Sequence, residues 1–89
     1  MPTFSAHALK RMAERGLSRE EVLLMLRKGP LLHIVTDREA DEGTLVTIVR
    51  SGRKTWAVVM NVDAMRIVTV RPAKKKEIRA YDEAPDEKR

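Results

Sequence analysis

The sequence predicts an α+β domain in which two N-terminal helices pack on a four-stranded antiparallel sheet, in the order α-α-β-β-β-β. Residues 5–28 carry apolar side chains at helical spacing between recognisable helix caps. After Pro30 the pattern changes to short runs rich in β-branched residues, which are typical of strands. The chain has 89 residues, of which 43% are hydrophobic and only 3% aromatic, so we expect one small aliphatic core.

Both predicted helices have sequence signals at their ends. Ser5 is suited to cap the first helix, and Gly16 can end it in the left-handed conformation. Ser18 and Glu21 form the S-x-x-E capping box of the second helix. Gly29-Pro30 ends that helix, because proline cannot continue it.

The second half of the chain supplies the strands. We predict four strands, at residues 31–36, 44–50, 55–61 and 66–71. Short turns join the last three, so we expect them to pair as antiparallel hairpins, and residues 37–43 form an acidic hairpin loop. The domain is assigned to residues 1–72, and the charged residues 73–89 are predicted to form a partly disordered tail.

The charge distribution favours a polyanionic partner. The formal net charge is +5, and residues 1–79 hold 16 of the 18 basic and 9 of the 13 acidic side chains, a balance of +7. Nucleic acid is therefore the first partner to consider.

The chain has no cysteine, no apolar run of ~20 residues and no signal-peptide core, which favours a cytoplasmic protein with no membrane partner. The acidic loop lacks the spacing of a calcium loop, so no metal or other cofactor is predicted.

One face of the first helix carries the candidate chemistry. His7, Arg11 and Arg15 are four residues apart and therefore neighbours, and His7 lies near the helix N-terminus, which favours phosphate. Thr69 and Arg71 share one face of the last strand. A metal-free ribonuclease needs a base for the 2′-hydroxyl, an acid for the leaving oxygen and fixed cations. We predict His7, Arg11 and Thr69 as catalytic residues. The predicted nucleic-acid-binding residues are all basic: Arg15, Arg71, Lys74, Lys75 and Lys76.

Two stretches resemble a known family. The opening F-S-x-H-A-x-x-R-M-x-E-R-G-L-S and the later Ile67-Val68-Thr69-Val70 resemble a family of small bacterial and archaeal domains of unknown function, number 4258, over residues 4–71. That family implies no assigned activity.

More distantly, two helices followed by four antiparallel strands resemble the RelE-type toxin fold, which usually begins with a strand. Many members of that group are metal-independent ribonucleases, so the resemblance implies an RNA substrate and a small acidic antitoxin as partner.

The sequence is also compatible with two other functions. Residues 12–22 loosely mimic a DNA-binding helix-turn-helix, but the second helix opens with Arg19-Glu20-Glu21, whose carboxylates repel phosphates. A non-catalytic interaction domain would instead offer a sheet edge to a partner strand or to a second copy in a homodimer. No general acid is evident for the ribonuclease unless His33 or Tyr81 approaches the site.

Overall fold

The computed structural model of the protein describes residues 3–28, 31–34, 44–61 and 65–84. Within these ranges the α+β class is confirmed. The elements, in chain order, are β1 Thr3–Phe4, α1 Ala6–Glu14, α2 Arg19–Lys28, β2 Leu31–Ile34, β3 Thr44–Ser51, β4 Lys54–Asn61, β5 Arg66–Pro72 and α3 Lys75–Glu83. The predicted acidic loop, residues 37–43, lies outside the described residues.

The strands form one mixed sheet in the spatial order β1-β5-β4-β3-β2. Strands β2 to β5 pair with their neighbours in antiparallel fashion, so the predicted hairpin pairings are confirmed. The two-residue strand β1 instead pairs in parallel with β5, where Thr3 lies opposite Arg66. The prediction of a wholly antiparallel sheet is therefore wrong, because the residues before α1 add a parallel strand at one edge. Helices α1 and α2 then carry the chain to the opposite edge.

Ser5 fixes α1 to the sheet. Its Oγ accepts a hydrogen bond from the backbone N–H of Ala8 at 3.0 Å, as expected of an N-cap. The same hydroxyl donates to the carbonyl oxygen of Val68 in β5 at 2.8 Å. One side chain therefore both begins the helix and sets its position beside the last strand.

The turn between α1 and α2 contains the predicted helix caps. Gly16 has a φ of 69°, and the N–H of Leu17 donates to the carbonyl of Met12 at 2.8 Å, which satisfies a carbonyl at the end of α1. Ser18 and Glu21 exchange two hydrogen bonds of 3.1 Å at the start of α2. The capping box is confirmed.

The core lies on both faces of the sheet. Helices α1 and α2 cover one face, where the buried residues are Ala8, Met12, Val22, Met25, Val49, Trp56, Val58, Ile67 and Val70. On the other face a second cluster contains Val46, Ile48, Ala57, Val59 and Tyr81. Tyr81 belongs to α3 and is only 2% exposed. The helix count is thus corrected from two to three, since α3 lies where the sequence predicts a partly disordered tail.

Helix α3 escapes sequence analysis because little of its surface is apolar. Only Glu77 and Tyr81 are buried in it, and Glu77 is charged. Tyr81 packs it into the second core cluster, and ion pairs with the sheet, described below, add to this packing. None of the helices in the described ranges is long and apolar enough to cross a membrane.

Candidate nucleic-acid interface

The predicted basic face of α1 is exposed. His7 and Arg11 both lie at the surface, and His7 forms no hydrogen bond or ion pair with the described residues. Arg11 Nη1 lies 3.1 Å from Glu14 Oε1, in a pair whose side chains are 45% and 44% exposed. Such a surface pair contributes little and opens readily. Arg15 is half-buried and donates to the carbonyl of Arg11 at 3.4 Å.

Thr69 and Arg71 lie on the other face of the sheet. In the antiparallel register Thr69 is opposite Val59 and Arg71 is opposite Ala57. Directly opposed residues point to the same face, and Val59 and Ala57 belong to the cluster beneath α3. The structure confirms that Thr69 and Arg71 share a face but does not bring Thr69 together with the residues of α1, because the sheet lies between them.

Arg71 is held by a carboxylate of α3. Its Nη1 and Nη2 donate to the two carboxylate oxygens of Glu77 at 2.7 and 2.9 Å, and the backbone N–H of Lys74 donates to the same carboxylate at 2.7 Å. The side chains of Arg71 and Glu77 are 18% and 8% exposed. Arg71 is thus a structural partner of α3 in this conformation, rather than an open phosphate ligand.

Those contacts determine the protonation of Glu77. Burial by itself would raise the pKa of the carboxyl, but the hydrogen bonds from Arg71 and from the Lys74 backbone, with the positive charges of both residues, outweigh it. The pKa of Glu77 is therefore held below its usual value of 4.5. Glu77 is ionised at neutral pH, so the pair with Arg71 is a charged one.

A second arginine contacts a carboxylate of α3 through one hydrogen bond in a more exposed pair. Arg50 Nη2, at the end of β3, donates to Asp82 Oδ1 of α3 at 2.7 Å. The Arg50 guanidinium carbon also lies 5.2 Å from the centre of the Tyr81 ring, within cation–π range. Sequence reasoning missed Arg50, Glu77 and Asp82. The available signal was Glu77 and Tyr81 four residues apart, on one face of a helix.

A group of exposed basic side chains lies at one end of the sheet. The backbone N–H of Ala73 donates to the carbonyl of Thr55 at 2.9 Å, which brings the start of α3 beside the β3–β4 turn. We call this region the hairpin-end surface, and its residues are all exposed and basic: Arg53, Lys54, Lys74, Lys75 and Lys76. Among them Arg53, Lys75 and Lys76 form no ion pair or hydrogen bond with the described residues.

The hairpin-end surface combines the β3–β4 turn with the start of α3, two segments that are distant from each other in the sequence. The sequence predicted Lys74, Lys75 and Lys76 as nucleic-acid ligands but did not associate the β3–β4 turn with them. The turn's Lys54 extends over the face of Trp56, with Nζ 5.6 Å from the ring centre. An open groove of about 300 Å³ extends the region towards α2, and its lining residues are Glu21, Leu24, Met25, Lys28, Arg50, Ser51 and Gly52.

The described part of the chain contains no group of three His, Cys, Asp or Glu side chains able to hold a metal ion. The fold and site together define a small α+β domain with helices on both faces of a mixed sheet and a basic end. The chain belongs to the family described as Domain of unknown function (DUF4258), whose family model matches residues 4–71, from β1 into β5. Neither the curated proteins nor the solved structures contain a match to this chain.

Proposed function

We propose that the protein is an RNA-binding domain that contacts the phosphate backbone through the hairpin-end surface. The observation that supports this most is the exposure of five basic side chains from the β3–β4 turn and the start of α3 at one end of the sheet. Lysine and arginine at such a surface release counterions from nucleic acid, which supplies affinity without sequence preference. The buried carboxylate Glu77 is paired with Arg71, and Arg53, Lys75 and Lys76 have no ion pair among the described residues.

RNA is favoured over duplex DNA for two reasons. Helix α2, which a helix-turn-helix would insert into the major groove, begins with Arg19-Glu20-Glu21, and all three side chains are exposed. The order of the elements also supports the RelE-type resemblance: β1 precedes α1 and α2, as expected of a fold that begins with a strand. Fold order is an analogy, and RNA binding therefore has to be measured directly.

The direct test is fluorescence anisotropy with a 5′-fluorescein-labelled 12-nucleotide oligouridylate. The triple variant Arg53→Gln/Lys75→Gln/Lys76→Gln removes three cations that have no described partner. We expect its affinity at 50 mM salt to fall by about tenfold or more, because each lost phosphate contact weakens binding. Unchanged affinity would contradict the proposal.

The matched control removes the same charge elsewhere. Lys10→Gln/Arg19→Gln/Arg27→Gln takes away three exposed cations of α1 and α2 that also have no described partner. Both triple variants lower the net charge by three. A loss of affinity that is equal in the two variants would indicate attraction by net charge alone, and would remove the hairpin-end surface from the account.

Cleavage of the bound RNA is the second candidate function. The favouring observation is that His7 and Arg11 are exposed side by side at the start of α1, with the His7 imidazole unengaged among the described residues. In a metal-independent reaction His7 would accept the proton of a 2′-hydroxyl while its oxygen attacks the adjacent phosphorus, and Arg11 would stabilise the charge that develops there. The bond from phosphorus to the 5′-oxygen breaks, the leaving 5′-oxygen takes a proton from water, and a 2′,3′-cyclic phosphate remains. Thr69 faces away from this pair, so the reaction proposed here uses α1 alone.

The cleavage proposal has its own readout. Total RNA is incubated with protein in chelator, and regulated expression is followed by growth and RNA integrity. We expect His7→Ala to abolish cleavage while Lys10→Ala, on the same helix, retains it. If wild type leaves RNA intact and does not slow growth, the enzymatic proposal fails while RNA binding is unaffected. A small acidic antitoxin, the proposed protein partner, should compete with RNA.

A further inference from the structure

Two carboxylates of α3, Glu77 and Asp82, are bound to two arginines of one sheet face. Arg50 projects from β3 to Asp82, and Arg71 projects from β5 to Glu77. These are the ion pairs between α3 and the sheet among the described residues. Each guanidinium of this face thus contacts an anion that belongs to the same nine-residue helix.

The two arginines lie far enough apart to bind separate phosphates. Arg71 is opposite Ala57 of β4, and Ala57 is opposite Ile48 of β3, two residues before Arg50. Strand spacing of about 4.8 Å and a rise of about 3.4 Å per residue place their Cα atoms about 12 Å apart. Thr69 lies two residues before Arg71 on the same face, so it would border the same surface.

We propose that Arg50 and Arg71, at the border of the apolar cluster beneath α3, form a phosphate-binding site, and that Asp82 and Glu77 hold it closed. Its ligand is the backbone of an RNA strand, whose phosphates replace the two carboxylates on Arg50 and Arg71. This inference rests on the proposed RNA binding and adds its regulation: the hairpin-end surface is the open contact, and release of the α3 carboxylates adds Arg50 and then Arg71 to it. The arginine guanidinium can form bidentate hydrogen bonds with either a phosphate or a carboxylate, so a phosphate that replaces the carboxylate can accept the same hydrogen bonds.

The unequal exposure of the two ion pairs favours a staged opening. The pair of Arg50 and Asp82 has side chains 41% and 48% exposed, and such pairs open at little cost. The pair of Arg71 and Glu77 is far less exposed and holds the start of the helix. Release of Asp82 would therefore come first, while Tyr81 and Glu77 keep α3 in place.

The first experiment frees Arg50 without disturbing the buried pair. Asp82→Asn is compared with Glu83→Gln, which removes the same charge from the next residue, an exposed carboxylate with no described partner. With the labelled oligouridylate we expect Asp82→Asn to bind about fivefold tighter than Glu83→Gln and the plot of log affinity against log salt to steepen by about 0.7, one additional phosphate contact. Equal affinity and equal slope in the two variants would overturn the inference and leave RNA binding at the hairpin-end surface intact.

A second probe separates this inference from RNA binding itself. Inorganic pyrophosphate is added to the Glu77→Gln/Asp82→Asn variant, and the melting temperature is compared with that of the same variant in buffer. We expect a rise of about 6–11 °C at ten times the Kd, and a much smaller rise for wild type and Glu83→Gln. A rise without any RNA binding would refute the proposed function but support the closed site. No rise in the double variant would overturn the closed site even if RNA binds.

Discussion

The attachment of α3 through Glu77 is open to a quantitative test. Glu77→Gln keeps the shape of the side chain and removes its charge and one strong acceptor. The carboxylate accepts hydrogen bonds of 2.7, 2.9 and 2.7 Å, two of them from a guanidinium that is 18% exposed. Breaking a fully buried pair costs about 3–5 kcal/mol. Allowing for the exposed fraction of Arg71, we expect a loss of about 2 kcal/mol, or about 8–16 °C in melting temperature.

Urea denaturation followed by the fluorescence of Trp56 measures this loss. Trp56 is the single tryptophan and is 5% exposed, so its emission reports unfolding. Glu83→Gln is the matched control, and we expect it to change the free energy of unfolding by less than about 0.5 kcal/mol. If Glu77→Gln is as stable as Glu83→Gln, the ion pair does not hold α3 and the reasoning is wrong.

The same variant has a predicted pH dependence. Because the folded state lowers the pKa of Glu77, its contribution to stability is fully present above the usual pKa of 4.5 and is lost as the pH falls through the lowered value. The difference in stability between wild type and Glu77→Gln should be constant from about pH 6 to 8 and shrink below pH 4.5. A difference that grows on acidification would contradict the assigned direction of the pKa.

Three further substitutions test the packing and caps by the same denaturation assay. Ser5→Ala removes both the N-cap bond and the bond to Val68 and should cost about 1–2 kcal/mol, whereas Ser5→Thr should retain most of the stability; equal losses would argue against the cap. Gly16→Ala should cost about 1–2 kcal/mol through its φ of 69° alone, since no atom lies within 4 Å of the added Cβ; no loss would contradict this. Met12→Ala, at a site 2% exposed, should cost about 2–5 kcal/mol, and a loss below 1 kcal/mol would show a looser core.

Local chemistry explains why the first two helices could be predicted. Ser5, Gly16, Ser18 and Glu21 each act on backbone groups within a few residues, so their sequence spacing determines the contact. The strands were similarly evident from β-branched runs and short turns. Their observed pairing follows that expectation in β3, β4 and β5.

The parts that escaped prediction depend on distant partners. Strand β1 has only two residues and exists through pairing with β5, which it joins through contacts 63 positions apart. Helix α3 is attached by Arg50, 32 positions from Asp82, and by the buried charge of Glu77. Strand β1 is too short to show a period, and α3 has only Ile78, Ala80 and Tyr81 as apolar residues, so neither was recognised from the sequence.

The candidate site was predicted only in part, because spacing along the chain assigns residues to one face of an element but does not show what that face contacts. The spacing of His7 and Arg11 correctly put them on one exposed helix face, and Thr69 and Arg71 on one strand face. Neither of these two spacings shows which face of the sheet α1 covers. The pairing of Arg71 with Glu77 likewise required α3, which the sequence had not revealed.

If the hairpin-end surface neutralises RNA phosphates, the affinity for RNA must fall as the salt concentration rises. Oligouridylate affinity is measured from 50 to 300 mM KCl for wild type and for the Arg53→Gln/Lys75→Gln/Lys76→Gln variant. Each phosphate contact contributes about 0.7 to the slope of log affinity against log salt for a single strand, so we expect the variant's slope to be shallower by about 2. Identical slopes, or a wild-type affinity that does not change with salt, would contradict the account.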